Sequence, residues 1–214
     1  MKNIDTLGYL FVFLLIVVSF NLYHYSDSLL LTCVKSSIDG NKYCVRDDNN
    51  IKDSVDLLAK LTINCKHLVS HLKQKYGDKD ERVNRLVDGF RPNKVYEILP
   101  TSKFTAYSEN KGQKLAFCLN KTKKGDDPID LNTLTFVAIH ELAHIITKSR
   151  GHTEEFWRNM QFLVKEGEEC GIYKVVDYSK TPQNYCGMDI TSNPYFRKNK
   201  PFKPEKQGKI YFDV

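Results

Sequence analysis

The chain is 214 residues long, 41% hydrophobic and 27% charged, with no internal repeat or low-complexity run. This composition excludes a repeat array, and behind an apolar N-terminus about 190 residues remain, enough for one domain with a sizeable core. The formal net charge is +6, part of it concentrated near the C-terminus.

Residues 7–20, continuing to Tyr23, are almost wholly apolar, interrupted by Gly8, Ser19 and Asn21. A run of about 17 residues is the lower limit for spanning hydrocarbon and exceeds most signal-peptide cores. Segment 1–25 is therefore predicted to be an N-terminal transmembrane helix, an uncleaved single-pass membrane anchor, with a removed signal ending near Val17-Val18-Ser19 as the alternative. Lys2 is offset by Asp5, and the positive-inside rule leans toward a cytoplasmic N-terminus, with the remainder lumenal or extracellular. Six cysteines, Cys33, Cys44, Cys65, Cys118, Cys170 and Cys186, suit up to three disulfides on that side or buried free thiols in a cytosol-facing domain. None forms a Cys-x-x-Cys, so a second, structural zinc site is not indicated. Asn120-Lys121-Thr122 is the acceptor sequon whose use would settle the topology.

Residues 26–50 read as a linker. Beyond it Ile51, Val55, Leu58, Leu61, Cys65, Leu68, Leu72 and Tyr76 recur at steps of three and four, which predicts a long amphipathic helix over 51–76, and 81–90 adds a shorter one. His67 and His71 stand four apart on the first helix, but no glutamate between them occupies the place of a base. They read as a solvated or partly buried pair. Three strands come next, at 94–99, 103–108 and 114–119, the last two joined through Glu109-Asn110-Lys111-Gly112-Gln113, whose Asn and Gly signal a hairpin.

Residues 131–147 lack Pro and Gly and carry Leu134, Val137, Ala138, Leu142, Ile145 and Ile146, the density of a helix buried against a core. Asp130 is the expected N-cap, after an Asp126-Asp127-Pro128 turn. Within this helix lies His140-Glu141-Leu142-Ala143-His144. Histidines four apart share one helix face, so both imidazoles can reach a single ion about 2 Å away, while Glu141 is turned aside, free to act as a base toward water. Catalytic zinc takes a third protein ligand and keeps one position open. His152 is the leading candidate: Gly151 before it can take a positive φ, and Thr153 or His152 can cap a second helix that opens with Glu154 and Glu155. A glutamate of that helix, Glu166, Glu168 or Glu169, is the rival ligand.

The motif, together with Gly151-His152-Thr153-Glu154-Glu155-Phe156-Trp157, resembles the WLM metallopeptidase family, related to the SprT-type zincins, in which the third histidine precedes a short run ending in Phe or Phe-Trp. Val176-Asp177-Tyr178-Ser179-Lys180-Thr181-Pro182, with Tyr185-Cys186-Gly187-Met188-Asp189-Ile190, is similar to the corresponding downstream segment of membrane-anchored WLM-like proteins of large DNA viruses. The resemblance covers residues 99–194. It implies an α+β, zincin-like domain over 51–194 with a small sheet packed on the motif helix. It also implies one catalytic Zn2+ held by His140, His144 and His152, and a zinc metalloendopeptidase acting on a protein or peptide substrate with Glu141 as catalytic base. Cellular members act in the nucleus on proteins crosslinked to DNA or carrying ubiquitin-like tags; this chain departs from them in its apolar start and short C-terminal extension, so the substrate is not carried over. By the same resemblance, one of the strands docks an extended peptide through its main chain. Tyr178 and Tyr185 are candidates to stabilise the oxyanion, or else packed aromatics with satisfied hydroxyls, and Met188 is a candidate to lie beneath the metal.

The tail 195–214 interleaves Arg197, Lys198, Lys200, Lys203, Lys206 and Lys209 with Tyr195, Phe196, Phe202, Tyr211 and Phe212. It reads as a solvated extension or one that wraps the domain, in preference to a contact with nucleic acid or an anionic membrane. Two other classes stand beside the peptidase. One is a non-catalytic, zinc-stabilised binding or assembly protein, whose metal would have four protein ligands; the other is a nucleic-acid-associated protease whose binding would weaken with salt.

Overall fold

A computed structural model describes residues 2–26, 31–125 and 127–197, with the side chains of the first helix described over 6–22. That helix is Lys2–Ser26 (α1). Among the described residues, no helix is long and apolar enough to cross a membrane. This corrects the predicted transmembrane helix and the single-pass membrane localisation built on it. The described apolar side chains occupy 7–22, and at 1.5 Å per residue that stretch measures about 24 Å, short of the ~30 Å of hydrocarbon in a bilayer.

Residues 26–50, expected as a linker, supply two strands instead: Leu31–Lys35 (β1) and Lys42–Arg46 (β2), antiparallel with Cys33 opposite Cys44 and the two joined by a disulfide. In β2, Tyr43 and Val45 point inward and are buried, a two-residue period too brief to register in the sequence. Ile51–Tyr76 (α2) forms as predicted, burying Val55, Leu58, Leu61, Cys65, Leu68 and Leu72 along one face. Glu81–Gly89 (α3) is N-capped by the Asp80 carboxylate, which accepts from the Arg82 N–H. The remaining strands of the main sheet are Val95–Glu97 (β3), Ala106–Glu109 (β4) and Lys114–Phe117 (β5), each shorter than its predicted run.

The sheet order is β1-β2-β3-β5-β4. β2, β3 and β5 run parallel, and β4 returns antiparallel along the outer edge. Leu131–Ile146 (α4) and Glu154–Glu169 (α5) complete the domain with a small hairpin, Gln183–Tyr185 (β6) and Met188–Ile190 (β7). α4 packs on α2, α3, α5 and β4, so the motif helix sits at the centre of the core. An α+β architecture with a small sheet beside that helix agrees with the expectation from sequence.

Two long-range ties hold the sheet to the loops around α4. The Glu97 carboxylate accepts from the Arg46 backbone N–H at 2.7 Å and from its guanidinium, which also donates to Lys123 O at 3.1 Å. A disulfide joins Cys118 to Cys186 in the β6–β7 turn, while Cys65 and Cys170 remain thiols, so two of the three conceivable bridges form. Asn120, the sequon residue, is 4% exposed and bridges to Pro128, so the folded chain does not present it to a glycosyltransferase.

The β4–β5 turn takes left-handed backbone at Asn110, Lys111 and Gly112. At Gly112 (φ 102°) an added Cβ would lie 2.7 Å from Gly89 O and 2.7 Å from Ile145 Cδ1. Turn, α3 and α4 meet there too closely for a side chain. Gly112→Ala is expected to destabilise the domain by about 2 kcal/mol through backbone strain and this clash, read as a lower urea midpoint. An unchanged midpoint would show that the turn can shift away from α4.

Candidate metal centre

The N-terminus of α4 is set by Asp130, whose carboxylate accepts from the Thr133 N–H at 2.9 Å, the cap expected from sequence. Its C-terminus is buried, where orphan carbonyls need donors from the surrounding protein. Arg85 of α3 donates through Nε and Nη2 to Ile146 O, and Lys111 Nζ, reaching over from the hairpin, donates to His144 O (3.0 Å) and Thr147 O (2.7 Å). The turn into α5 is equally constrained. Glu155 accepts from the N–H groups of Lys148 and Ser149, and Gly151 takes φ 73°. The Thr153 hydroxyl caps α5 by accepting from the Phe156 N–H. Asn159 then donates to the Thr147 hydroxyl at 2.9 Å, pinning α5 to the end of α4.

This scaffold brings His140, His144 and His152 together. Their ring centroids form a nearly equilateral triangle with sides of 5.0, 4.9 and 5.0 Å, and one ligand nitrogen from each lies within 4.8 Å of the others. Nε2 of His140 and Nε2 of His152 are 3.0 Å apart. Nitrogens bound to one tetrahedral zinc stand about 3.3 Å apart, so the spacing suits a shared ion. Burial, then the proximity of the other two imidazoles, holds His140 well below its usual pKa, and burial pushes His144 down to about 3. Both are thereby neutral donors, the form in which imidazole binds a metal. Phe156 lies beneath the three histidines, with its ring 4.8, 4.4 and 4.7 Å from those of His140, His144 and His152. Its side chain is fully buried and forms the floor of the site.

Glu141 is 1% exposed, and its Oε1 has no hydrogen-bond partner among the described residues. Burial pushes its carboxyl up to about 8; a divalent cation close by would draw it down again. A buried carboxylate oxygen left unpaired is costly unless a ligand completes it. Three clustered imidazoles with a neighbouring unpartnered carboxylate fit a zinc ion and an attacking water.

The rival ligands are engaged elsewhere. Glu166 accepts from Tyr76 and Lys75 and pairs with His71 at 3.0 Å, Glu169 pairs with Lys75, and Glu168 is exposed. His67 is exposed. The two tyrosines considered for the oxyanion are buried aromatics with committed hydroxyls. Tyr185 donates to Thr105 O and accepts from the Cys118 N–H, and Tyr178 contacts the Tyr173 hydroxyl. Met188 opens β7, half-buried. The roles of Phe156, Lys111 and Arg85 are not evident from sequence reasoning. Phe156 leaves a trace in the aromatic pair after His152, whereas the two cations come from distant segments with no local mark.

No family model matches the sequence. An uncharacterised protein, R325, of Acanthamoeba polyphaga mimivirus is 30% identical over 160 residues, covering 73% of this chain and 81% of that protein. The chain belongs to the R325 family. An uncharacterised protein of Invertebrate iridescent virus 6, 136R, is 34% identical over 83 residues, 38% of this chain and 44% of its own length. Among solved structures, Wss1 from Saccharomyces cerevisiae aligns with a TM-score of 0.43 at 16% identity, covering 58% of this chain and 84% of that one. Both of these relatives are viral proteins described as uncharacterised.

Proposed function

We propose that the chain is a zinc-dependent, WLM-like metallopeptidase with His140, His144 and His152 as ligands and Glu141 as general base. The observation that carries the reading is the convergence of three imidazoles beside a buried carboxylate whose Oε1 is unpartnered among the described residues. Zinc, when bound, supplies a Lewis acid that acidifies water and polarises a carbonyl. Glu141 takes the proton of the attacking water and returns it to the departing amine, the shuttle its burial favours by keeping competing solvent out. The three rings are held in register by Phe156, and their backbone by Lys111, Arg85 and Asn159. β4, the outer strand beside α4, offers an edge unpaired among the described residues, to which an extended peptide can add by main-chain hydrogen bonds.

A zinc site of purely structural kind would need a fourth protein ligand. Among the described residues the cluster contains three histidines, and Glu155, in the first turn of α5 after His152, is bonded to Lys148 and Ser149. The peptidase reading is therefore preferred to a non-catalytic assembly role. Most of the basic tail 195–214 invoked for nucleic-acid binding lies outside the described residues, which end at Arg197.

Metal analysis of the purified protein tests the ligand set. One zinc per chain is expected, with His152→Ala falling to a small fraction of that content while its fold is retained. Wild-type zinc content in His152→Ala would return the third position to another side chain.

A further inference from the structure

We infer that a hollow beside His140 is a side-chain pocket selecting peptides with an aliphatic residue next to the scissile bond. This rests on the peptidase reading of the adjoining centre and adds the substrate class to it.

The pocket is built from three segments. α4 supplies Phe136 and Val137, one turn before His140, whose own ring forms part of the wall. α5 supplies Trp157 and Met160. Ile190 and Pro194 close the third side, with Ser192 at the exposed rim. The hollow opens to solvent on one side, and its exposed lining is almost wholly apolar. Because it shares His140 with the metal centre, a side chain inserted there belongs to a residue flanking the bond under attack.

Its chemistry chooses the occupant. The walls are aliphatic and aromatic, and the one ionisable lining group, His140, has its Nε2 at the metal centre, 3.0 Å from that of His152. A charged side chain would lose its hydration and gain no partner, and glycine would leave the hollow unfilled. A leucine, isoleucine or methionine would fill it. The third wall is also fixed in advance. Gln161 Nε2 donates to Pro194 O at 2.8 Å and to Arg197 O at 3.1 Å. Asn193 donates to the Tyr173 hydroxyl and Val176 O and accepts from the Tyr195 N–H. A pocket already ordered spends little binding energy on closing around its ligand.

Trp157 is the chain's single tryptophan, so its emission reports occupancy independently of any catalysis. The zinc-loaded, full-length Glu141→Gln protein would be titrated with blocked short peptides carrying Leu, Gly or Asp on either side of a central amide. Wild type would be given the same peptides and the cuts mapped by mass spectrometry. The expected result is a Trp157 response to the Leu peptides at a Kd at least about tenfold below that for Gly or Asp, and a kcat/KM preference of similar size. Ser192→Phe, which fills the rim, should erase the discrimination while zinc content and melting temperature hold; should that variant not fold, Met160→Ala should shift the preference toward bulkier side chains. Equal cleavage of all peptides, with no difference in Trp157 response, overturns the pocket and leaves the peptidase standing. Leu-selective binding in Glu141→Gln without cleavage by wild type supports the pocket and removes the peptidase reading.

Discussion

Glu141→Gln protein is expected to keep its zinc and lose about 10²–10⁴-fold in kcat/KM toward peptides, the usual contribution of a positioned acid–base group. The amide has the shape of the carboxyl but cannot take a proton. Stability should not fall. Glu141 is 1% exposed with Oε1 unpartnered among the described residues, so a neutral amide in its place removes the cost of burying charge. Zinc content, a thermal melt and peptide hydrolysis on one preparation distinguish this outcome from simple unfolding. Undiminished hydrolysis with zinc bound would sink the assignment of Glu141 as base.

Glu97→Ala is expected to cost about 3–5 kcal/mol, because it leaves the Arg46 guanidinium buried without its counter-ion. Glu97 is 2% exposed and Arg46 9%. Burial raises the Glu97 carboxyl, against the pull of the Arg46 N–H and guanidinium. The pair joins β2 to β3 and, through Lys123 O, to the segment leading to α4, so its loss should loosen the sheet before it disturbs the histidines. Replacing both members with apolar residues, Arg46→Met with Glu97→Leu, should recover most of the loss, since no orphaned charge remains. Urea denaturation reads both effects, and a Glu97→Ala midpoint equal to wild type would mean that water reaches Arg46.

Much of this architecture is legible along the chain because its signals are local. The three-and-four spacing from Ile51 to Tyr76 marks α2, and the apolar density around His140 marks α4; both helices form with the predicted faces buried. Asp130 and Thr153 cap as expected because a side-chain oxygen two or three residues ahead of free N–H groups is a sequence-local arrangement. The segment holding β1 and β2 has no such mark and reads as a linker. Its strands are five residues each, their burial alternates over only a residue or two, and β2 gains its second neighbour from β3, about fifty residues away. The apolar run at the N-terminus reads in sequence as a span at the lower limit of length, and over its described residues it falls short of the hydrocarbon thickness.

The same division runs through the candidate site. The spacing of His140, Glu141 and His144 follows from helical pitch and needs nothing beyond four consecutive peptide steps. Sequence leaves the third ligand open between His152 and three glutamates, and only packing separates them. α2 turns His71, Lys75 and Tyr76 toward Glu166 and so occupies it, while Lys111, Arg85 and Glu155 bend the α4–α5 turn until His152 meets His140. Which cysteines pair, which tyrosine hydroxyls are already committed, and where the apolar pocket opens are likewise set by contacts between distant segments. Periodicity and capping depend on neighbours within one helical turn and can be read from order alone; a ligand cage, a disulfide and a pocket depend on which surfaces meet, and the free energy that chooses among meetings is summed over the whole core.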